Sequence, residues 1–393
     1  MPRDNQAPAA QDEAPAGQHW GTLWAMALAR IAFGYQIQTV ASLGPDLRAA
    51  FGIEFATLGT LMGLMQLPGM LAAIPSGFLA RRFGDRDIIA GGMVAMVIGS
   101  LVSAMAGGPV GIGAGRVIAG FGAVALTVLQ PKAVADRFSG GSFNIAMGIL
   151  VGAFPIGIGL GQLTHARLAA IYGWPAAFVA GAVVAGVALA VLMATWRDVA
   201  GLLSRAMNWP SRREMLLVFI AGMIWTSFNA GYFNFLGYLP SVIRDRGHPA
   251  WVADLAIGMA TWGNLPMMLL GGAVAARVGA VPVFIAGTVM EVLAVSGLAF
   301  TDWPLLWGVV FGTFGAMHAG IIVGWGTMSV RPENRAVGMG IFYTTYYIGG
   351  TGIPALCGMA ADLAGDASGA FLCAAALTAL ALPIWWWHRT LSR

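Results

Sequence analysis

The sequence predicts an all-α integral membrane protein: twelve transmembrane helices in two pseudo-symmetric six-helix bundles. Three observations predict it. First, the 393 residues are 58% hydrophobic and only 10% charged, with a mean hydropathy of +0.76. A soluble chain of this length carries roughly 25% charged residues, so lipid must cover much of this surface. Second, apolar runs recur at the length of about twenty residues that a helix needs to cross hydrocarbon. Third, the second half of the chain echoes the first at a fixed offset of 195 residues.

The expected spans are 20–44, 54–80, 87–107, 110–135, 143–166 and 172–195, then 214–242, 251–276, 281–300, 303–330, 336–361 and 369–387. Backbone polar groups in lipid must be bonded internally, and runs this long and apolar satisfy that as helices, not barrel strands. Residues 1–18 are polar, with Asp4, Asp12 and Glu13. They lack the basic start and apolar middle of a cleaved signal and read as a disordered cytoplasmic tail. Residues 19–195 form the expected N-terminal bundle, 196–213 a cytoplasmic linker, 214–388 the C-terminal bundle and 389–393 a short cytoplasmic tail. No extramembrane domain fits between the spans.

The repeat is clearest where Gly77-Phe78-Leu79-Ala80-Arg81-Arg82-Phe83-Gly84 returns as Gly272-Ala273-Val274-Ala275-Ala276-Arg277-Val278-Gly279. Gly63 and Gly258, Pro109 and Pro304, Gly113 and Gly308, and Gly120 and Gly315 keep the same offset. Duplicated bundles place a substrate site between their halves. Of the 21 arginines and lysines, 15 fall on one side of the spans and 4 on the other; Arg30 and Arg116 lie inside spans. The positive-inside rule then makes the basic side, and both termini, cytoplasmic.

Composition also excludes classes. The sequence pI of 9.4 comes from short arginine clusters between spans, with no broad basic face for nucleic acid. Cys357 and Cys373 lie in apolar runs without metal-ligand spacing. The only lysine, Lys132, follows Pro131, so there is no phosphate-binding loop for ATP. No metal cluster, paired-carboxylate site or nucleophile triad is visible, so neither an enzyme nor a cofactor is expected.

Twelve helices in two halves with these glycine patterns resemble the major facilitator superfamily over residues 20–388. Gly77, Arg81, Arg82, Gly84, Asp85 and Arg86 look like that family's cytoplasmic gating loop between helices two and three. Arg116 to Gly122 resembles its helix-four motif, and Gly152 to Gly161 around Pro155 is a loose version of its helix-five glycine-proline motif. The gating loop departs from the pattern: Arg81 stands where the family usually has an acid, and Asp85, Asp87 or Asp136 is left to substitute. Within the superfamily, residues 30–86 are most similar to bacterial porters of the cyanate and nitroimidazole type. The resemblance implies a secondary transporter that rocks one half against the other. Pro155 and Gly157, and Pro354 among Gly349, Gly350 and Gly352, read either as close packing or as hinges for that motion.

Ionisable groups inside apolar spans are costly and mark function. Four stand out: Arg30, Arg116, Glu291 and His318. Arg30 shares a helical stripe with Gly34, Ile37, Gln38 and Ala41. Family helix one lines the cavity, so Arg30 reads as a group for an anionic substrate, or as an arginine that snorkels or gates. Arg116 reads as a coupling residue or as a structural donor to helix-end carbonyls. His318 is the best proton-carrier candidate because histidine titrates near neutral pH. Glu291 belongs to a peripheral helix in the family and reads more readily as one partner of a local structural pair. Gln38, Asn229, Tyr232, Trp262, Asn264, Tyr343 and Tyr347 supply candidate hydrogen bonds and aromatic walls. The expected function is transport of a small solute, an anion over a cation, coupled to protons or to another solute, with a monomer sufficient for the cycle. A proton-coupled drug exporter is the alternative, and a non-transporting membrane sensor a more distant one.

Overall fold

The computed structural model describes residues 17–138, 140–196 and 209–392. Most of the expected tail (1–16) and of the expected linker (197–208), with Arg393, lies outside the described residues. The side chains of Gly77 and Arg81 are also outside the described set, as are those of 17–19, 78, 140, 141, 144, 250, 269, 332 and 336.

Sixteen α-helices and one 3₁₀ turn (Pro332–Asn334) account for almost all of the described residues, among which no strand occurs. The first half contains α1 (Gly17–Ser42), α2 (Gly44–Phe51), α3 (Phe55–Gly63), α4 (Leu67–Phe83), α5 (Asp85–Ala104), α6 (Pro109–Ala135), α7 (Gly140–Tyr172) and α8 (Pro175–Thr195). The second contains α9 (Arg212–Asp245), α10 (Ala250–Val278), α11 (Ala280–Phe300), α12 (Pro304–Phe314), α13 (Ala319–Met328), α14 (Arg335–Ala364), α15 (Ser368–Ala379) and α16 (Ala381–Ser392).

These helices follow the twelve expected segments, and the differences have local causes. The second segment breaks between α3 and α4 at Leu64–Gln66, where Pro68 cannot supply the next backbone N–H. The tenth breaks between α12 and α13 at Gly315–His318, without a proline, through tight turns such as Met317 N–H to Phe314 O at 3.3 Å. The twelfth breaks at Leu380, just before Pro383, and α16 then continues to Ser392, so the expected tail after 388 is helical. Among the described residues, nine segments, with α3–α4, α12–α13 and α15–α16 each counted as one, are long and apolar enough to cross a membrane by length and composition. Exposed valines and leucines form stripes at helical spacing: Val179, Val183 and Val187 on α8, and Ile285, Val289 and Leu293 on α11. Apolar faces of this extent are what a lipid-facing bundle presents.

The repeat survives in the backbone. Gly84 (φ 88°, ψ 150°) turns α4 into α5, and Gly279 (φ 94°, ψ 153°) turns α10 into α11. Pro109 and Pro304 each open a helix in its first turn, where a missing N–H costs nothing. A further pair at the same offset, Gly52 and Gly247, adopts positive φ just beyond α2 and α9.

The two halves are fastened at one end. There a continuous apolar core runs from Val40, Leu43, Phe55 and Phe178 of the first half to Phe235, Leu239, Val242 and Phe371 of the second. A glycine seam joins α3 to α14: a Cβ on Gly59 would collide with the Pro354 carbonyl, on Gly63 with that of Thr351, and on Gly358 with that of Phe55. Toward the other, arginine-rich end each half keeps an apolar cluster of its own, one around Met26, Met93 and Leu129, another around Val218, Val330 and Phe342.

Candidate functional site

A cavity of about 40 Å³ lies between the halves, just inside the fastened end. At roughly 10–15 Å³ per water on this measure, it holds a few waters and no larger solute. Its polar wall is made of amides: Gln38 from α1, Gln66 from the α3–α4 break, and Asn229 and Asn234 from α9. Gly350 and Pro354 of α14 close another side. Amides donate and accept without carrying charge, so this wall can orient a polar solute of either sign.

Above the cavity a polar chain closes the exit. Gln38 Nε2 donates to Gln162 Oε1 at 3.0 Å, Ser42 Oγ donates to the same oxygen at 2.9 Å, and Gln162 Nε2 reaches Asp254 Oδ1 at 3.3 Å. That chain crosses from α1 and α7 to α10 of the other half. Beyond it, Arg48 meets Asp245 at 3.3 Å and Arg244 meets Asp46 at 3.2 Å, two reciprocal pairs between the halves. The backbone N–H groups of Phe55 and Ala56, at the start of α3, donate at 2.8 Å to the two carboxylate oxygens of Asp362 on α14. Tyr238 Oη donates to the Pro354 carbonyl at 2.6 Å beside them.

Toward the opposite end, Arg30 lies between the halves. Its Nη1 donates to the Leu126 carbonyl at 3.3 Å, while its Nε is buried without a hydrogen-bond partner among the described residues. The guanidinium lies 5.9 and 5.8 Å from the ring centres of Phe33 and Phe154, and Tyr343, Tyr346 and Tyr347 of α14 are within electrostatic reach. Gln66 Nε2 donates to Tyr346 Oη at 2.7 Å, joining this tyrosine group to the amide wall.

Arg116 is arranged differently. It is buried, and its three nitrogens donate to the carbonyls of Gln36 (2.6 Å), Leu61 (3.3 Å), Ile37 (3.4 Å) and Met62 (3.5 Å). It therefore ties α1 to the end of α3, where the break leaves carbonyls in need of donors.

The other expected site residues divide. Gln38 and Asn229 line the cavity. Tyr232 and Asn264 are buried side by side within the second half, and Tyr232 packs on Phe228 and Phe311, off the cavity wall. Trp262 is 42% exposed and lies against Gly159 of α7. Gly157 brings α7 against α1, because a Cβ there would collide with the Ile31 carbonyl; Pro155 is buried in the same contact region. Glu291 faces inward from its peripheral helix: it is fully buried, with Oε2 3.5 Å from His318 Nε2. In the gating loop, Asp85 and Asp136 both pair with Lys132, at 2.7 and 3.0 Å, within the first half. Arg86 reaches the Met193 carbonyl at 3.4 Å, and Arg82 lies 5.3 Å from the ring centre of Phe83.

Sequence reading missed three groups. His165 is buried against Tyr35, with Thr39 Oγ1 3.4 Å from its Nε2, and Asp254 sits on α10. Both lie inside expected spans and extend the four ionisable groups singled out above. Asp362 was hidden at the end of a span, where an acid reads as a simple boundary.

Comparison with known proteins gives the family. The Major Facilitator Superfamily sequence profile matches residues 26–253. The chain is 25% identical over 360 residues to the inner membrane transport protein YajR of Escherichia coli, covering 85% of this chain and 75% of that one. Its fold is similar to that of the E. coli xylose transporter XylE in a partially occluded inward-open conformation, with TM-score 0.74, 17% identity, and 94% and 98% of the two chains covered. It is equally similar to the nucleoside transporter NupG, with TM-score 0.74, 13% identity, and 95% and 100% covered. The chain thus belongs to the major facilitator superfamily: a multi-pass membrane protein that is a secondary transporter of small solutes, and not an enzyme.

Proposed function

We propose that this chain carries a small anionic solute across a bacterial inner membrane by alternating access, as a monomer driven by a proton gradient. Twelve crossings with both termini cytoplasmic are supported by the agreement between helices and expected spans and by the arginine asymmetry. In that orientation the fastened end faces outward. The observation that carries the anion is Arg30: a partly buried guanidinium between the halves, with one carbonyl partner and a buried Nε that has none among the described residues, facing a tyrosine group. A buried cation with unfilled donors is stabilised by a ligand that brings negative charge and acceptors. The likeness of residues 30–86 to cyanate- and nitroimidazole-type porters points the same way. Proton drive is supported by the fold shared with XylE, whose structure with a bound sugar analogue describes it as a proton:xylose symporter.

Uptake into proteoliposomes across a panel of small anions, with D-xylose and a nucleoside as neutral controls, tests the reading. The expected result is saturable anion uptake, reduced tenfold or more by Arg30→Ala and partly kept by Arg30→Lys. Equal transport by parent and Arg30→Ala removes the anion-binding role. The second reading, a drug exporter, is favoured by the aromatic surroundings of Arg30 (Phe33, Phe154, Tyr343). It requires that overexpressing cells tolerate toxic hydrophobic compounds better than controls.

A further inference from the structure

The second half encloses a polar pair that the substrate path does not use. Glu291 of α11 and His318, at the break between α12 and α13, are both fully buried, with Oε2 and Nε2 3.5 Å apart. Neither carboxylate oxygen and neither ring nitrogen has a hydrogen-bond partner among the described residues. Structural ion pairs and buried polar groups are normally saturated. This one is not.

Its surroundings are built for it. A Cβ on Gly231 of α9 would lie 2.6 Å from Glu291 Oε1 and 2.7 Å from Thr378 Oγ1 of α15, so glycine leaves room for the carboxyl. Gly287 does the same for the His318 ring. Phe228 and Phe284 meet that ring edge to face, at 5.1 and 5.9 Å between centres. The Tyr232 phenol from α9 is within electrostatic reach of Glu291, with Asn264 of α10 beside it; Thr378 is a polar group presented by α15. No cation from these elements compensates the carboxylate.

We infer that Glu291 and His318 hold one proton between them and form the coupling site of the transporter. The proton count decides this. With one proton shared, the pair is either a carboxylic acid beside a neutral imidazole or a carboxylate beside an imidazolium; both are neutral overall. Removing that proton leaves a fully buried carboxylate beside a neutral ring, with no hydrogen-bond donor among the described residues, which is strongly disfavoured. The proton therefore leaves only when the pocket itself changes. Two features provide for that change: His318 is on an interrupted helix, and Gly231 lies on α9 next to Asn229 and Ala230, which line the cavity. Proton occupancy and the position of the α9 wall are thus linked, and the linkage acts in both directions. The inference rests on the proposed proton-driven transport, and its test has an arm that does not depend on it.

That arm is infrared difference spectroscopy of the full chain in phosphatidylethanolamine–phosphatidylglycerol vesicles, scanned from pH 5 to 10. The parent is expected to show a buried protonated carboxyl or an imidazolium that titrates. The signal should disappear in Glu291→Gln, and its midpoint should move by about one pH unit or more in His318→Gln. A parent without either signal, or a signal indifferent to the partner's substitution, overturns the shared site. Thermal stability of each variant, read by size-exclusion fluorescence, separates misfolding from lost titration, and the parent's own titration stands without any variant. The second arm follows the solute identified in the uptake panel. Glu291→Gln should still exchange it across the membrane at equal pH but lose accumulation against a pH gradient. Accumulation equal to the parent overturns the coupling role. If the parent transports nothing in the panel, the proposed function fails, and the infrared arm alone decides the proton site.

Discussion

Arg30 and Arg116 show how differently two intramembrane arginines are used. Both were legible from sequence as costly charges in apolar spans, but their roles depend on what neighbouring helices offer, which spacing along one helix does not contain. Arg116 has four carbonyl partners, so it acts as a bracket between α1 and α3. Arg116→Leu leaves the Leu61 and Met62 carbonyls buried without their side-chain donor. At about 1–3 kcal/mol for each orphaned group, it should destabilise the protein by about 3 kcal/mol, seen as a lower melting temperature in detergent. Arg116→Lys should recover only part, because an ammonium cannot fork between two helices. Outside the spans, the hydrogen bond from His248 holds the Asp302 carboxyl below its usual range, with Arg246 assisting. A depressed folded-state value means stability present above the ordinary carboxylate range and lost as pH falls through the folded-state value. Asp302 is mostly exposed, so Asp302→Asn should cost less than about 1 kcal/mol at neutral pH. Its melting curve should merge with the parent's in acid.

At the scale of elements, hydropathy located the spans but not their interruptions. Pro68 and Pro383 sit just after two of the breaks and were readable; the break at Gly315–His318 has no proline to mark it. The seam between α3 and α14 was likewise half visible. Gly59 and Gly63 have the spacing of a close-contact motif, but their partner, Thr351 to Gly358, is some 300 residues away in sequence. Gly63→Ala should push its methyl into the Thr351 carbonyl and cost about 1–3 kcal/mol of overpacking. The loss should appear as a longer distance between spin labels at Ala50 and Pro249, at the fastened end. Asp362→Asn should act in the same direction more weakly. It removes the charge from a cap of the α3 N-terminus, a contact worth about 1 kcal/mol, while leaving the shape intact. Unchanged label distances in both variants would detach the seam from the conformational cycle.

For the molecule as a whole, the duplication was the most legible property, and the structure extends it to backbone angles: Gly84 and Gly279 differ by 6° in φ and 3° in ψ. What duplication does not reveal is where the halves differ, and the proposed binding and coupling groups fall there. Arg30 comes from the first half, the Glu291–His318 pair from the second, and neither has a counterpart at the repeat offset. The fastened end has one more consequence. Its seam is backbone against backbone, with few side chains that can stretch or swivel as the surfaces part. A gap of about an ångström across such a contact already forfeits up to about half of its dispersion energy, so partial opening is poorly rewarded. The seam should behave as a snap fastener and not as a spring: single-molecule distance traces across it should show abrupt jumps between two levels, with no dwell between them.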